Sequence, residues 1–86
     1  MFYTYILKSK KDGELYIGST NNMGRRLAEH NNGLVSSTEH RTPFVLIYCE
    51  AYFSEEDARH REHNLKLHGR ARQQLFKRIK RSIASS

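Results

Sequence analysis

Two apolar segments separated by a short polar connection open the chain. The segment YTYILKS, residues 3–9, is rich in β-branched and aromatic residues, and so is ELYIGS, residues 14–19. The connection between them ends in an Asp-Gly pair, which favours a tight turn. The pattern therefore predicts a β-hairpin with Asp12 and Gly13 at its turn.

The length of this connection also predicts the register of the hairpin. An even-numbered loop pairs odd positions of one strand with even positions of the other, and side chains alternate between the two faces. We therefore expect Tyr5 and Leu7 to share a face with Tyr16 and Gly18.

The next segment, TNNMGRRLAEHNNG, has the pattern of a short amphipathic helix. Thr20, Asn21 or Asn22 can cap its start, and Gly33 helps to end it. At about 100° per residue, Arg26 and His30 border the apolar stripe that must face the sheet. Residues 34–43 are expected to form a loop.

A third strand and two further helices follow. The run PFVLIYCEAYF, residues 43–53, is continuously apolar, which predicts a central strand shielded on both faces. Ser54 and Asp57 form a capping-box pattern that begins a helix running to about Leu67. After Gly69 we predict a last helix over residues 70–82. Glu62 then projects inward beside Leu65, and a buried carboxylate needs a cation, either an arginine or a metal.

Composition limits the class of protein. The chain has 86 residues, of which 37% are hydrophobic and 28% charged, as expected for one soluble globular domain. No apolar run approaches the roughly 20 residues of a membrane span, and the first residues do not form a signal peptide, so we expect a cytoplasmic protein without membrane contact. Cys49 is the single cysteine, which excludes an intramolecular disulfide.

Basic charge is concentrated in the C-terminal third. Residues 1–57 contain six Lys and Arg against eight acids, whereas residues 58–86 contain nine against Glu62 alone. Such clustering indicates a polyanionic partner, with nucleic acid favoured over a membrane surface, although a solvated face that maintains solubility is the simpler alternative. Apolar positions of the last helix should dock on the body and turn five basic side chains toward phosphate: Arg72, Lys77, Arg78, Lys80 and Arg81.

The same residues resemble the GIY-YIG nuclease superfamily, and within it the small stand-alone bacterial domains. YTY at residues 3–5 resembles the first signature tripeptide with its Gly and Ile replaced, and YIG at residues 16–18 matches the second unaltered. Arg26 and His30 stand at the family's spacing, and Glu62 in RHREHNLK matches the family's metal-binding glutamate. The resemblance covers roughly residues 2–80 and implies one domain over residues 1–86.

The resemblance implies a fold and an activity. The expected fold is α+β, a three-stranded antiparallel sheet flanked by helices in the order β-β-α-β-α-α. The expected activity is metal-dependent endonuclease cleavage of DNA, single-stranded or branched forms included, with a role in DNA repair or processing. DNA is favoured over RNA as the partner. The implied catalytic residues are Tyr5, Tyr16, Arg26, His30 and Glu62.

Each implied residue has a stated role. Tyr16, polarised by His30 or Tyr5, would deprotonate water, Arg26 would hold the phosphate, and Glu62 would bind one Mg²⁺ or Mn²⁺.

Other interpretations remain open on sequence grounds. Arg26, His30 and Glu62 also fit a structural ion-pair network, and the domain also fits a nucleic-acid-binding module that does not cleave. Thr38 and His40, in the loop before the third strand, are further candidates for contact with nucleic acid.

Overall fold

The computed structural model describes residues 1–86 and contains three strands and four helices. The strands are β1 (Phe2–Ser9), β2 (Leu15–Thr20) and β3 (Phe44–Tyr52). The helices are α1 (Met23–Asn31), α2 (Glu55–Leu67), α3 (Gly69–Arg78) and α4 (Lys80–Ala84), and a single 3₁₀ turn covers Glu39–Arg41. The predicted α+β class and the predicted order of elements are confirmed.

The sheet is antiparallel with the order β2-β1-β3. Tyr5 lies opposite Gly18 and Leu7 opposite Tyr16, so the predicted hairpin register is confirmed. The turn closes through Gly13, whose φ of 74° is a conformation that glycine adopts without strain. Its N–H donates to the Ser9 carbonyl at 2.9 Å.

The prediction that the third strand is central was wrong. β1 is the central strand, because β2 pairs with one of its edges and β3 with the other. The outward side chains of β3 are open to solvent, Leu46 among them, and Phe53 just beyond the strand is 92% exposed. A continuous apolar run therefore marks an edge strand here, and a register irregularity opposite Ile6 and Leu7 interrupts its alternation.

The sheet divides the molecule into two layers. On one face α2 and α3 cover a core of Ile6, Ile17, Leu65 and Leu75. On the other face Tyr5, Leu7 and Phe44 form a second cluster against which Met23 and Leu27 of α1 pack. Alternate residues of β1 thus serve the two layers.

The caps of α1 and α2 follow the predicted positions. The Asn22 side chain accepts from the Arg25 N–H at 3.0 Å, which caps the start of α1. At its end, Gly33 has φ 73° and the Leu34 N–H donates to the Glu29 carbonyl at 3.0 Å, a Schellman arrangement. Ser54 precedes α2 as predicted, but its side chain makes no capping hydrogen bond.

The last predicted helix is broken into two. α3 ends at Arg78 and α4 begins at Lys80, because Ile79 between them has a non-helical backbone. Leu75 is buried, and Phe76 and Ile79 pack against the core, so the predicted docking of this face is confirmed. None of the helices combines the length and hydropathy needed to cross a membrane.

Candidate active site

Tyr5 is the buried centre of the candidate site. Its side chain points from β1 toward α1, where only 1% of the residue is exposed, and its hydroxyl lies 2.9 Å from Nε2 of His30. Burial raises the pKa of Tyr5 to about 12, and the nearby Arg26 opposes this rise. At neutral pH the Tyr5 hydroxyl therefore keeps its proton and is available to donate to His30.

His30 links Tyr5 to the loop before β3. Its Nδ1 lies 2.9 Å from the Thr38 hydroxyl, which also reaches the Val35 carbonyl at 3.3 Å. Since the hydroxyl has one proton to give to that carbonyl, we assign the ring proton to Nδ1 and the acceptor role to Nε2. Burial, and then the charge of Arg26, lower the pKa of His30, which fits this neutral tautomer.

Gly18 makes room for the Tyr5 hydroxyl. A Cβ atom at this position would lie 2.5 Å from the Tyr5 oxygen and 3.1 Å from the ring of Tyr16. Any side chain here would therefore displace one tyrosine or the other. The glycine of YIG is required by close contact rather than by a turn.

Tyr16 stands at the open side of this cluster. Its ring centroid lies 6.3 Å from that of Tyr5 and 5.0 Å from that of His30, the latter in an edge-on arrangement. Tyr16 is half-buried, and its hydroxyl makes no hydrogen bond within the protein. The predicted hydrogen bond from His30 or Tyr5 to Tyr16 is therefore absent, and Tyr16 contacts the other two rings by packing alone.

Glu62 approaches the site from the opposite layer. Its Oε1 accepts from the Ser19 hydroxyl at 2.9 Å, and its Oε2 lies 2.6 Å from Nζ of Lys66. The Glu62 side chain is only 17% exposed, as its predicted inward direction requires. The positive partner of the Glu62 carboxylate is therefore Lys66, one helical turn away. The sequence had suggested an arginine or a metal instead.

The two layers meet around the edge strand β2. Lys66 lies 5.8 Å above the ring of Tyr16, so α2 reaches the tyrosine cluster past this edge. Arg26 is 32% exposed and lies 3.1 Å from Glu29. Both Arg26 and Glu62 are close enough to Tyr5 to influence its ionisation. The predicted residues Tyr5, Tyr16, Arg26, His30 and Glu62 thus converge on one place.

A cleft of about 220 Å³ continues the site along the end of β2. We call it the arginine cleft, and nine residues line it: Phe2, Ser19, Thr20, Asn21, Arg25, Arg26, Glu55, Ala58 and Arg59. It contains three arginines and one acid, so an anion is its natural occupant.

The oxygen ligands at the site are few. No group of three or more His, Cys, Asp and Glu side chains comes together anywhere in the protein. Glu62 is the one carboxylate beside the tyrosines, with the Ser19 hydroxyl next to it.

Two predicted nucleic-acid contacts are revised by the structure. Thr38 is fully buried against His30, so its hydroxyl orients the imidazole and does not meet a ligand from solvent. Arg72 donates to the carbonyls of Leu65 and Lys66 at 3.0 and 3.1 Å, where it satisfies the free C-terminal carbonyls of α2. The sequence does not show whether a loop threonine or a helical arginine points into the protein or toward solvent.

The other predicted contacts are accessible. His40 is 86% exposed beside Glu39. The remaining four basic residues, Lys77, Arg78, Lys80 and Arg81, are exposed around the break between α3 and α4.

The sequence did not lead us to predict Lys66 and Ser19 as residues of the site. The spacing of Lys66, four residues after Glu62, is a recognisable helical ion-pair signal. Ser19 carries no such signal, because its contact with Glu62 depends on how α2 lies across β2.

Known proteins resemble this chain over most of its length. A family model described as the GIY-YIG catalytic domain matches residues 1–77. The chain is 42% identical to a UPF0213 protein of Staphylococcus haemolyticus, over 90% of this chain and 92% of the relative. It is 43% identical to a UPF0213 protein of Clostridium perfringens, over 77% and 71% of the two chains. A UPF0213 protein of Natronomonas pharaonis is 41% identical over 84% and 85%.

No solved structure shows a significant match to the chain. The family match spans both signature strands, α1 and the segment that carries Glu62. The relatives are aligned over most of their own length, so the likeness concerns the whole domain. The chain therefore belongs to the GIY-YIG catalytic domain family, a nuclease superfamily.

Proposed function

We propose that the protein is a metal-dependent endonuclease that hydrolyses phosphodiester bonds in DNA and acts in DNA processing such as repair. The observation that carries this proposal is the convergence of Tyr16, Arg26 and Glu62 around β2. Arg26 lines the same cleft as Ser19, Ser19 donates to Glu62, and Lys66 links Glu62 to the ring of Tyr16. A tyrosine phenolate, a guanidinium and a carboxylate together supply a proton acceptor, a phosphate ligand and a metal ligand. The family membership supports the same reaction class.

The donor set at Glu62 fits a hard divalent cation. Mg²⁺ keeps several of its waters and is commonly bound through one or two carboxylates together with substrate phosphates. The Glu62 side chain is largely buried, and a divalent ion bound to its carboxylate would take the place of the Lys66 ammonium at Oε2. One Mg²⁺ or Mn²⁺ held by Glu62 would supply Lewis-acid stabilisation of the negative charge that develops on the leaving oxygen.

The side chains of the site divide the remaining work. Arg26 binds the non-bridging oxygens of the scissile phosphate with its planar fork of donors. Tyr16, in its phenolate form, orients the attacking water and takes its proton at Oη to become the neutral phenol. Its oxygen is the one of the tyrosine pair without a partner in the protein. Tyr5 and His30 are positioning residues, because both are buried and their hydrogen bonds fix the ring against which Tyr16 packs.

One nuclease assay tests this proposal. Labelled single-stranded, duplex and flap DNA are incubated with the protein in Mg²⁺, in Mn²⁺ and in EDTA. Cleavage should require the metal and should be lost in Arg26→Ala, Glu62→Gln and Tyr16→Phe, whereas His63→Gln, an exposed neighbour on α2, should cleave like the parent. The rival function, a binding module that does not cleave, is favoured if DNA is bound and never cut in the presence of either metal.

A further inference from the structure

The arginine cleft lies beside the catalytic cluster, and apart from Arg26 its lining residues have no role in the proposed cleavage. Two of its residues belong to both places. Arg26 lines the cleft and approaches Tyr5, and Ser19 lines the cleft and donates to Glu62. A strand whose scissile phosphate lies on Arg26 therefore continues directly into the cleft.

Two arginines of the cleft are available to a ligand. The side chains of Arg25 and Arg59 are 54% and 68% exposed. Their acidic neighbours are distant for ion pairs, with 3.7 Å from Arg25 to Glu29 and 3.8 Å from Arg59 to Glu55. Such exposed pairs are weak and exchange readily for a phosphate, to which a guanidinium binds with two parallel hydrogen bonds.

Arg25 is also oriented toward the cleft by a neutral partner. Its Nη2 donates to the Asn21 side chain at 2.9 Å, and Asn21 itself lines the cleft. Arg59 reaches the same space from the first turns of α2, on the far side of the sheet edge. The two guanidinium groups therefore come from the two layers of the fold.

Two hydrophobic residues, Phe2 and Ala58, line the cleft. Phe2 is half-buried at the start of β1. The space of about 220 Å³ is suited to one planar ring system rather than to a duplex. A nucleobase stacks on an aromatic side chain only when its own face is free, which requires an unpaired base.

We propose that the arginine cleft binds the unpaired nucleotide next to the scissile phosphate, with its base against Phe2 and its phosphate on Arg25 and Arg59. This rests on the proposed function and names its substrate class: a single-stranded segment, either a free strand or the unpaired part of a branched DNA. Glu55 is the one acid of the cleft and opposes binding.

The test measures binding without cleavage. Fluorescein-labelled single-stranded and duplex oligonucleotides are titrated in EDTA at one fixed salt concentration, with fluorescence anisotropy as the readout. The double variant Arg25→Gln/Arg59→Gln should raise the Kd for the single strand about tenfold or more. Phe2→Leu should raise it roughly fivefold and leave the duplex Kd unchanged, since leucine fills the space but offers no ring. Glu55→Gln should lower it.

The matched control removes two positive charges elsewhere. Lys10→Gln/Arg70→Gln changes two exposed side chains outside the cleft and should alter the single-strand Kd by less than the cleft pair does. Thermal unfolding followed by circular dichroism checks that Phe2→Leu is folded at the temperature of the titration. If it is not, the arginine pair and Glu55→Gln, with their opposite expected signs, decide the matter.

The outcomes separate this inference from the nuclease proposal. Equal losses for the cleft pair and the control pair, equal losses on single strand and duplex, or no single-strand binding by the parent would overturn the cleft assignment. If the parent cleaves DNA with metal but the cleft variants bind like the parent, the nuclease proposal stands and the cleft proposal is wrong. If the cleft variants lose single-strand binding but no cleavage is seen with either metal, the cleft proposal stands and the nuclease proposal is wrong.

Discussion

The hydroxyl of Tyr5 lies 2.9 Å from Nε2 of His30, and both side chains are buried. The imidazole is held on its other side by Thr38, so its ring has no freedom to rotate without breaking one of two hydrogen bonds. Tyr16 packs against the edge of this fixed ring. The orientation of the one accessible tyrosine of the site is thus determined by a buried polar chain.

Thr38→Val should show that this chain positions Tyr16. The substitution keeps the shape but leaves Nδ1–H of His30 without an acceptor, which costs about 1–3 kcal/mol of stability. We expect kcat on DNA to fall with little change in KM, because Thr38 does not reach the substrate. Thr38→Ser, which restores the hydroxyl, should recover most of kcat. Equal kcat values for the valine and serine variants would contradict the positioning role.

Gly18→Ala should disrupt the same chain from the other side. The added methyl group would lie 2.5 Å from the Tyr5 oxygen, so Tyr5 must move and lose its bond to His30. We expect a loss of about 2 kcal/mol, within the range for overpacking of a close-packed interior, measured by urea unfolding. Gly24→Ala, whose methyl group would meet nothing closer than 3.9 Å, is the control and should not destabilise the protein.

The neutral state of His30 predicts a pH dependence of stability. Because burial and Arg26 lower the pKa of His30 in the folded state, the unfolded chain binds the proton first as the pH falls. Stability should therefore decrease as the pH drops through about 6.5, the ordinary value for histidine. Thermal melts from pH 7.5 to pH 5 should show this decrease in the parent and in His63→Gln, and a shallower one in His30→Gln. Identical slopes in all three proteins would refute the assignment.

Glu50 predicts a second and separate acid transition. It accepts three hydrogen bonds from the guanidinium of Arg61, and Tyr48 and Tyr52 donate to it. Burial alone would raise the pKa of Glu50, but these hydrogen bonds outweigh it and lower the pKa. The contribution of Glu50 is present above the ordinary carboxyl pKa of about 4.3 and is lost as the pH falls through the lower folded value.

Glu50→Gln should remove that contribution at neutral pH. We expect a loss of about 2 kcal/mol in urea unfolding, because Arg61 would keep its charge without a carboxylate partner. Glu56→Gln, an exposed acid on α2 without an ion pair, is the matched control and should stay within about 0.5 kcal/mol of the parent. A loss shared by both variants would mean that net charge, and not this cluster, is responsible.

The basic residues around the α3–α4 break predict the salt dependence of DNA binding. Replacing Lys77, Arg78, Lys80 and Arg81 by Gln should weaken binding and flatten the slope of log K against log salt by up to about four units, at about 0.9 or less per lost phosphate contact. Cleavage of bound DNA should be nearly unchanged, since these side chains lie outside the catalytic cluster. An unchanged slope would place the backbone contacts elsewhere, at the hairpin and the loop around His40.

Local patterns predicted the parts of the fold that depend on neighbouring residues. The hairpin register followed from the length of one turn, and it placed Tyr5, Tyr16 and Gly18 on one face correctly. The inward direction of Glu62 followed from helical periodicity. Both results need only the geometry of a single element or a single turn.

The parts that failed depend on contacts between distant elements. β3 has the most continuous apolar run yet lies at an edge, because strand order is decided by which strand pairs on both sides and not by hydropathy. Thr38 and Arg72 have partners on other elements, His30 on α1 and the end of α2. No pattern within their own segments distinguishes these contacts from exposure to solvent.

The alternation along β1 ties the formation of the site to the cooperativity of folding. Tyr5 faces the tyrosine cluster, and its neighbour Ile6 faces the main core, so any opening of β1 that exposes one also exposes the other. Amide hydrogens of Tyr5 and Ile6 should therefore exchange with solvent only through global unfolding, while those of β2, at the edge, can exchange through smaller openings. A molecule with an intact core therefore always has Tyr5 in place. The part of the site that can open independently is the edge strand β2, which a substrate would approach.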